Sequence, residues 1–358
     1  MKILFLTRFF YPHIGGVEKH VYEVGKRLLE KGHTVTILTE QIPLTSIQVY
    51  QSNDESAKLM DKTEKFRIYW VPVGEENWFK KFRIWKWLWQ NRHLLKDADI
   101  IHCHDVFFWY LPFKFLYPNK KVFLTFHGYE GNTIPGLKAK FWHKIGEILT
   151  NANICVGSFY KKWYGTKATK IIYGGTNLPF QRQYISESIK KAVFIGRLEE
   201  ETSIMQYLQA LNLLKKEKNI VRLTILGDGS LRKKAEEFVK KNNLPVTFQG
   251  FVNDTEQYIT KSDIVFASRY LAILEAFAHK KYVIAHYNSP IKKDYLQATP
   301  FAKWITIASN SKEIAQQIRE YTKNLDQIKK KINLAYEWVE NQKWDDVVSI
   351  YENLWRGK

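Results

Sequence analysis

At 358 residues the chain exceeds what one hydrophobic core usually organises, so two domains are expected. Hydrophobic residues at 45% and charged residues at 25% are ordinary for a globular protein, and apolar runs no longer than a strand argue against a spanning helix. The departure is charge: 55 Lys and Arg face 36 Asp and Glu, a net of +19, with 15% aromatics; this favours nucleic acid, an anionic membrane surface or a phosphorylated substrate as partner.

The N-terminus, MKILFLTRFFYP, has the lysine and apolar run of a signal peptide. The run is short, Arg8 follows at once and no small-residue cleavage site comes after it. It reads as a buried first strand, and a cytoplasmic location is expected. The loop carrying Pro12, Gly15 and Gly16 follows, then a helix with Val17, Val21, Val24 and Leu28 on one stripe and Gly32 at its stop. TVTILTE is the second strand, which completes a βαβ unit and implies a parallel sheet. Strands are predicted at ADIIHCH, KVFLTFH, ANICVGS and TKIIYGG, so a first domain spans residues 1–180. Cys103 and Cys155 lie in two of these strands and read as buried free thiols.

After the polar stretch QRQYISESIKK the alternation starts afresh. KAVFIGR, VRLTILGDG, VTFQGFV, DIVFAS, YVIAHYN and WITIA read as strands, separated by helical segments such as SIMQYLQALNLLKKE and SLRKKAEEFVKKNN. Two successive doubly wound α/β halves are the economical reading. The second domain is placed at 181–335, with a C-terminal helix at 336–358 after a break near Asn341–Lys343.

Candidate chemistry sits at predicted carboxyl ends of strands, where open parallel sheets bind ligands. The Gly15-Gly16 loop permits close backbone approach beside a helix N-terminus, which suits phosphate; a turn needed only for chain reversal is the equal alternative. Arg197 in FIGRL can fork onto phosphate oxygens or be an ordinary surface arginine. Gly227 follows a strand in ILGDG. Glu275 lies in an apolar helix start, where a carboxylate needs a partner: backbone N–H groups or a ligand's hydroxyls. Asp97 and Asp99 read as strand-edge solvation. His102 and His104 alternate on one strand face and with His127 could mimic a metal triad, but histidines at strand ends are the blander account, and no metal is expected.

Taken in order, FYPHIGGVEKH, IIHCHD, FLTFHGYE, FIGRLEEE, ILGDGSLR, FQGFV, SRYLAILEAFA and WDDVVSIYENLW resemble the retaining glycosyltransferases of family 4 over nearly the whole chain. The resemblance implies a GT-B fold: two Rossmann-like domains facing a cleft, acceptor side first, with the final helix crossing back onto the first domain. It implies a nucleotide-sugar donor (a UDP-sugar ahead of a GDP-sugar) and transfer with retention, without metal or other cofactor. The acceptor would be a glycan or a lipid-linked glycan in cell-envelope or polysaccharide synthesis. By the same resemblance Gly15, Gly16 and Arg197 approach the donor diphosphate, Glu275 binds the ribose and His127 lies beside the transferring sugar. Gly250, Phe251 and Val252 would meet the base, and Gly227, Arg269, Tyr270 and Leu271 complete the donor site.

Two positions depart from that family pattern. The lysine usually found five residues after the arginine is Thr202, and the glutamate usually found eight before Glu275 is Ala267. Arg269, Lys292 and Lys293 are candidates to replace the missing cation. A binding homologue without transfer activity is therefore one alternative. Another is a basic nucleic-acid-binding protein, although no recognition module is present and no nucleic acid is expected.

Residues 77–92, NWFKKFRIWKWLWQNR, place Trp78, Phe82, Trp85 and Trp89 on one helical stripe among Lys80, Lys81, Arg83, Lys86 and Arg92. An interfacial membrane helix needs such a face; a domain helix whose tryptophans fill the core is the other reading. Residues 1–180 hold 26 Lys and Arg against 15 Asp and Glu. Together these predict a peripheral protein drawn to an anionic membrane surface on its cytoplasmic face.

Overall fold

The computed structural model of the chain describes residues 1–41, 65–129, 134–180, 183–252 and 254–357. They form two compact units. The first contains Met1–Tyr129 and Pro135–Ile172 and is completed by the segment from Trp344; the second is built from Tyr173–Lys343.

Among the described residues the first unit has a parallel sheet of β1 (Lys2–Thr7), β2 (Thr34–Glu40), β3 (Arg67–Val71), β4 (Ile100–His104), β5 (Lys121–Phe126), β6 (Ala152–Val156) and β7 (Lys170–Ile172). Their spatial order is 3-2-1-4-5-6-7. The continuous apolar run of β1 fits its central place: Ile3 pairs with Val35 on one side and Ile100 on the other, and all three are buried. Strand order reverses between β1 and β4, and there an open sheet leaves a crevice at its carboxyl edge.

Helix α1 (Gly16–Glu30) follows β1 and buries Glu18, His20, Val21, Val24, Gly25 and Leu28. Val17, expected on the stripe, is part-exposed, and two polar residues take the inward places instead. Their cover is a distant segment of the chain, since α1 packs against the helix Trp344–Trp355. Helices α2 (Lys80–Gln90), α3 (Phe107–Leu116) and α4 (Leu137–Leu149) complete the first unit's principal covering layer. Cys103 and Cys155 are buried free thiols, and burial raises both above their ordinary pKa. Asp99 does strand-edge work: it accepts the Lys2 backbone N–H at 2.7 Å and donates its own to the Lys2 carbonyl.

In the second unit β8 (Lys191–Ile195), β9 (Arg222–Leu226), β10 (Val246–Gly250), β11 (Ile264–Phe266), β12 (Tyr282–His286) and β13 (Thr306–Ala308) are likewise parallel. Their order is 10-9-8-11-12-13, so the reversal falls between β8 and β11. Helices α5 (Ile204–Lys216), α6 (Arg232–Lys241), α7 (Tyr270–Ala278), α8 (Pro290–Gln297) and α9 (Leu325–Val339) alternate with and follow the strands. The core joins Phe194, Ile225, Phe266 and Ile284 from the sheet to Tyr207, Leu211 and Ile318 from the helices. After Val339 the helix ends, and α10 (Trp344–Trp355) joins the first unit. Among the described residues no helix is long and apolar enough to cross a membrane.

Candidate functional site

In the first unit the reversal point gathers the loop after β1, the ends of β4 and β5, and α1. Gly15 caps α1 in an extended conformation, and a Cβ there would run into the Glu18 carboxylate. Glu18 is buried and is held by His13 Nδ1 at 2.6 Å. The absence of a side chain at Gly15 thus lets a carboxylate fold over the helix entrance, while Gly16 is exposed.

Beside this entrance lie four histidines. His102 and His104 project from β4 onto one face and stack with ring centroids 5.1 Å apart; His20 and His127 meet edge to face at 4.7 Å. Their hydrogen bonds form a chain, and its first links have a fixed direction. The Trp355 indole can only donate, and does so to His102 Nδ1 at 3.0 Å, so His102 Nε2–H donates to Thr125 Oγ1 at 2.8 Å. Thr125 Oγ1 and the Tyr351 hydroxyl share a bond of 2.8 Å, and the Tyr351 hydroxyl and His20 Nε2 share one of 2.9 Å. His104 Nδ1 and His127 Nε2 share a further bond of 2.8 Å.

His104 Nε2 is buried without a partner. An unpaired lone pair costs less there than an unpaired N–H, so His104 Nδ1–H donates and His127 keeps its proton on Nδ1. The His127 backbone N–H is tied to Asp105 Oδ1 at 2.9 Å.

Burial holds all four rings neutral. It lowers His20 to about 3 and takes His102, His104 and His127 well below the ordinary histidine value, with neighbouring histidines adding to the effect. A tetrahedral metal site needs ring nitrogens that converge. Here both nitrogens of His102 and one each of His20, His104 and His127 bond one another, Thr125, Trp355 or Tyr351, and among the described residues no group of three His, Cys, Asp or Glu could hold a metal ion.

In the second unit Arg197 follows β8 and Arg269 follows β11, on either side of the strand-order reversal. The Arg197 guanidinium pairs with Glu201 Oε1, and Arg269 Nη2 lies 3.5 Å from the same oxygen. Thr202 is buried, with its hydroxyl turned inward to the Arg197 and Glu199 carbonyls. Lys292 is fully buried and donates to the Glu201 carbonyl at 2.9 Å. Desolvation, then Arg269, pushes its ammonium well below the ordinary lysine value. Lys293 is exposed over the Tyr287 ring.

Gly227 and Gly250 join the ends of β9 and β10: Gly227 N–H donates to Gly250 O at 2.6 Å. Gly227 has φ +135°, and a Cβ there would overlap the Gly196 carbonyl, so glycine lets the loops after β8 and β9 touch. Phe251 and Val252 follow, part-buried. Glu275 on α7 is also part-buried, and its Oε2 accepts from Thr255 Oγ1 at 2.8 Å. Ala267 is buried at the end of β11. Tyr270 is buried too: its ring stacks on Tyr295 at 4.0 Å, and its hydroxyl donates to the Tyr295 carbonyl at 2.6 Å. Leu271 lies against Gly174.

The structure therefore gathers Gly15, Gly16 and His127 around one reversal point. Arg197 and Arg269 flank the other, and Gly227 and Gly250 pair at the adjoining strand ends. Sequence reasoning missed His20, Tyr351, Glu201 and Thr255. His20 carried a signal, a titratable residue beside Val21 on the inward side of α1; the other three become visible only through the partners that folding brings to them.

Two parallel doubly wound sheets with loop clusters at their reversal points define a GT-B protein. A Staphylococcus aureus TarM variant, crystallised with fondaparinux, alpha-GlcNAc-glycerol and UDP, is similar at TM-score 0.73 and 13% identity over 99% of both chains. The profile described as Glycosyltransferase Family 4 matches residues 14–178, and that of Glycosyl transferases group 1 matches residues 179–342. The chain belongs to this glycosyltransferase family, one of retaining GT-B enzymes.

An uncharacterized glycosyltransferase of Methanocaldococcus jannaschii is 26% identical over 259 residues, 68% of this chain and 64% of that protein. A human phosphatidylinositol N-acetylglucosaminyltransferase component is 49% identical over 38 residues, 11% of this chain and 8% of that one. The chain thus spans less than two thirds of these relatives.

Proposed function

We propose that the protein moves a sugar, with retention, from a nucleoside diphosphate sugar to a glycan or lipid-linked glycan acceptor without a metal ion. The observation that carries this is the pair of arginines at the β8/β11 reversal, within a family of sugar transferases. Leaving-group chemistry needs fixed positive charge where the diphosphate gains negative charge, and guanidinium groups supply it. Glu275 takes the ribose hydroxyls, exchanging its bond with Thr255 for them, and Gly250 to Val252 meet the base. UDP is the favoured nucleotide: the TarM structure holds UDP.

His127 remains neutral, so it serves as an N–H donor to a sugar hydroxyl rather than as a cation. A thermal-shift screen of UDP-, GDP- and ADP-sugars, followed by a transfer assay, tests the donor. His127→Ala should lower turnover about a hundredfold or more while nucleotide affinity stays within about twofold, the pattern of a group acting on the sugar. Full turnover in that variant would remove His127 from the mechanism. A homologue that binds the donor without transferring it is the second reading, motivated by Thr202 and Ala267; donor binding with no product from any acceptor would establish it.

The acceptor is placed at an anionic membrane surface, on the cytoplasmic face. Exposure within residues 77–92 supports the interfacial reading: Ile84, Leu88 and Lys80 turn inward, while Trp78 is 69% and Trp89 51% exposed. Lys80 is spent on Glu40 at 2.8 Å and Glu76 at 2.6 Å. Trp85 donates to the Phe108 carbonyl on α3, α3 packs on α4, and Phe115, Leu137 and Phe141 are exposed there. Lys81, Lys86, Lys138 and Lys140 lie on the same helices. Aromatics among cations suit the interface of an anionic bilayer. Trp78, Phe82 and Trp89 changed together to Ser should abolish sedimentation with anionic vesicles at low salt; unchanged sedimentation would refute the placement.

A further inference from the structure

We infer that Arg269 is the second diphosphate-binding cation of this chain, and that Glu201 occupies the place of the diphosphate until the donor arrives. The inference rests on the donor-site reading above and deepens it. Three candidates existed for the cation that Thr202 does not provide, and the structure separates them. Lys293 is exposed over Tyr287. Lys292 is fully buried, and its ammonium is committed to the Glu201 carbonyl. Arg269 alone of the three reaches the anion that Arg197 holds.

The convergence is specific. Two guanidinium groups from different strand ends approach one oxygen, Glu201 Oε1. Like charges that close repel unless an anion sits between them, and a carboxylate contributes one negative charge. A diphosphate carries more charge and more acceptor oxygens, so it displaces the carboxylate from both arginines.

The local structure allows that exchange without rebuilding. Lys292 fixes the Glu201 backbone, while the Thr202 hydroxyl bonds the Arg197 and Glu199 carbonyls and closes the turn. Only the Glu201 side chain has to swing. The Arg269 guanidinium is steadied over the Tyr295 ring, its carbon 5.8 Å from the ring centroid, and Tyr295 is locked in turn by stacking on Tyr270. Thr202 therefore marks a relocation of the cation: the turn is tightened and the second positive charge comes from the other side of the reversal point.

The test is calorimetric titration with UDP, GDP and ADP, each beside its nucleoside monophosphate. Arg269→Ala should weaken binding of the accepted diphosphate at least tenfold and leave the monophosphate within twofold. Glu201→Gln, which keeps the size of the side chain but not its charge, should tighten diphosphate binding severalfold. Arg269→Gln, which retains part of the side-chain stem, repeats the measurement if the alanine variant fails to fold. Diphosphate affinity within twofold of wild type in the Arg269 variants, alongside a large loss in Arg197→Ala, overturns the inference while leaving the donor site standing. Weaker diphosphate binding in Glu201→Gln overturns the exchange. No binding of any diphosphate by the wild-type protein overturns the donor-site reading itself.

Discussion

Lowering the pH from 7 to 5 should destabilise the first unit. His20 is held at about 3 and His143 at about 4 by burial, against an ordinary histidine value near 6.5. Above pH 6.5 folded and unfolded chains both carry these rings neutral, and they contribute no pH dependence. Below it the unfolded chain takes up protons that the folded chain refuses, so stability falls by about 1.36 kcal/mol per pH unit for each ring. From 6.5 to 5 that is about 2 kcal/mol each, or about 4 for the two, with His102, His104 and His127 acting in the same direction. Domains are commonly stable by about 5–15 kcal/mol, so this loss is large. The carboxylates shifted down by their partners, Glu76, Glu313 and Glu352, add their losses only as pH falls below their ordinary range. Urea unfolding at pH 7, 6 and 5 would report it, with fluorescence from the buried Trp109, Trp344 and Trp355 following the first unit. An unchanged midpoint of that transition, or a His20 ring signal titrating near pH 6.5, would refute the reasoning.

Two further predictions concern stability. Gly227→Ala forces a side chain into positive φ and against the Gly196 carbonyl, and should cost more than about 2 kcal/mol, read as a lower melting temperature of the second unit. Tyr351→Phe removes the hydroxyl that joins Thr125 to His20 inside the first unit, and should cost about 1–3 kcal/mol in denaturant unfolding. A change under about 0.5 kcal/mol would mean that the two bonds of this hydroxyl contribute little to stability.

Much of the architecture was legible in local pattern. Continuous apolar strands such as KILFLT and KAVFI, broken by amphipathic helices, left little room for anything but parallel sheets. The elements that escaped had weak periodicity. The helix FFWYLPFKFL is apolar nearly all round and carries Pro112, while β3, RIYWV, is short and lies at the sheet edge. At the site, Arg197 could be named because strand ends are where such sheets bind, and Arg269 only as a candidate for the cation that the family pattern has at the position of Thr202. Their meeting at Glu201 could not, because it depends on how two loops from separated strands are held. The same holds for Glu275, whose bond to Thr255 joins residues twenty apart.

The placement of α10 bears on how the chain is made. The first unit opens the sequence, yet Trp355 and Tyr351 close its polar interior, so it stays unfinished until the ribosome has passed residue 355. The second unit is an insertion whose strands and helices all emerge earlier, and it can reach its native state first. During that interval His20, His102 and Thr125 stand without the side chains that satisfy them. The half of the protein synthesised first is thus the half that completes last, and nascent chains stalled before residue 344 should expose it to chaperones and proteases.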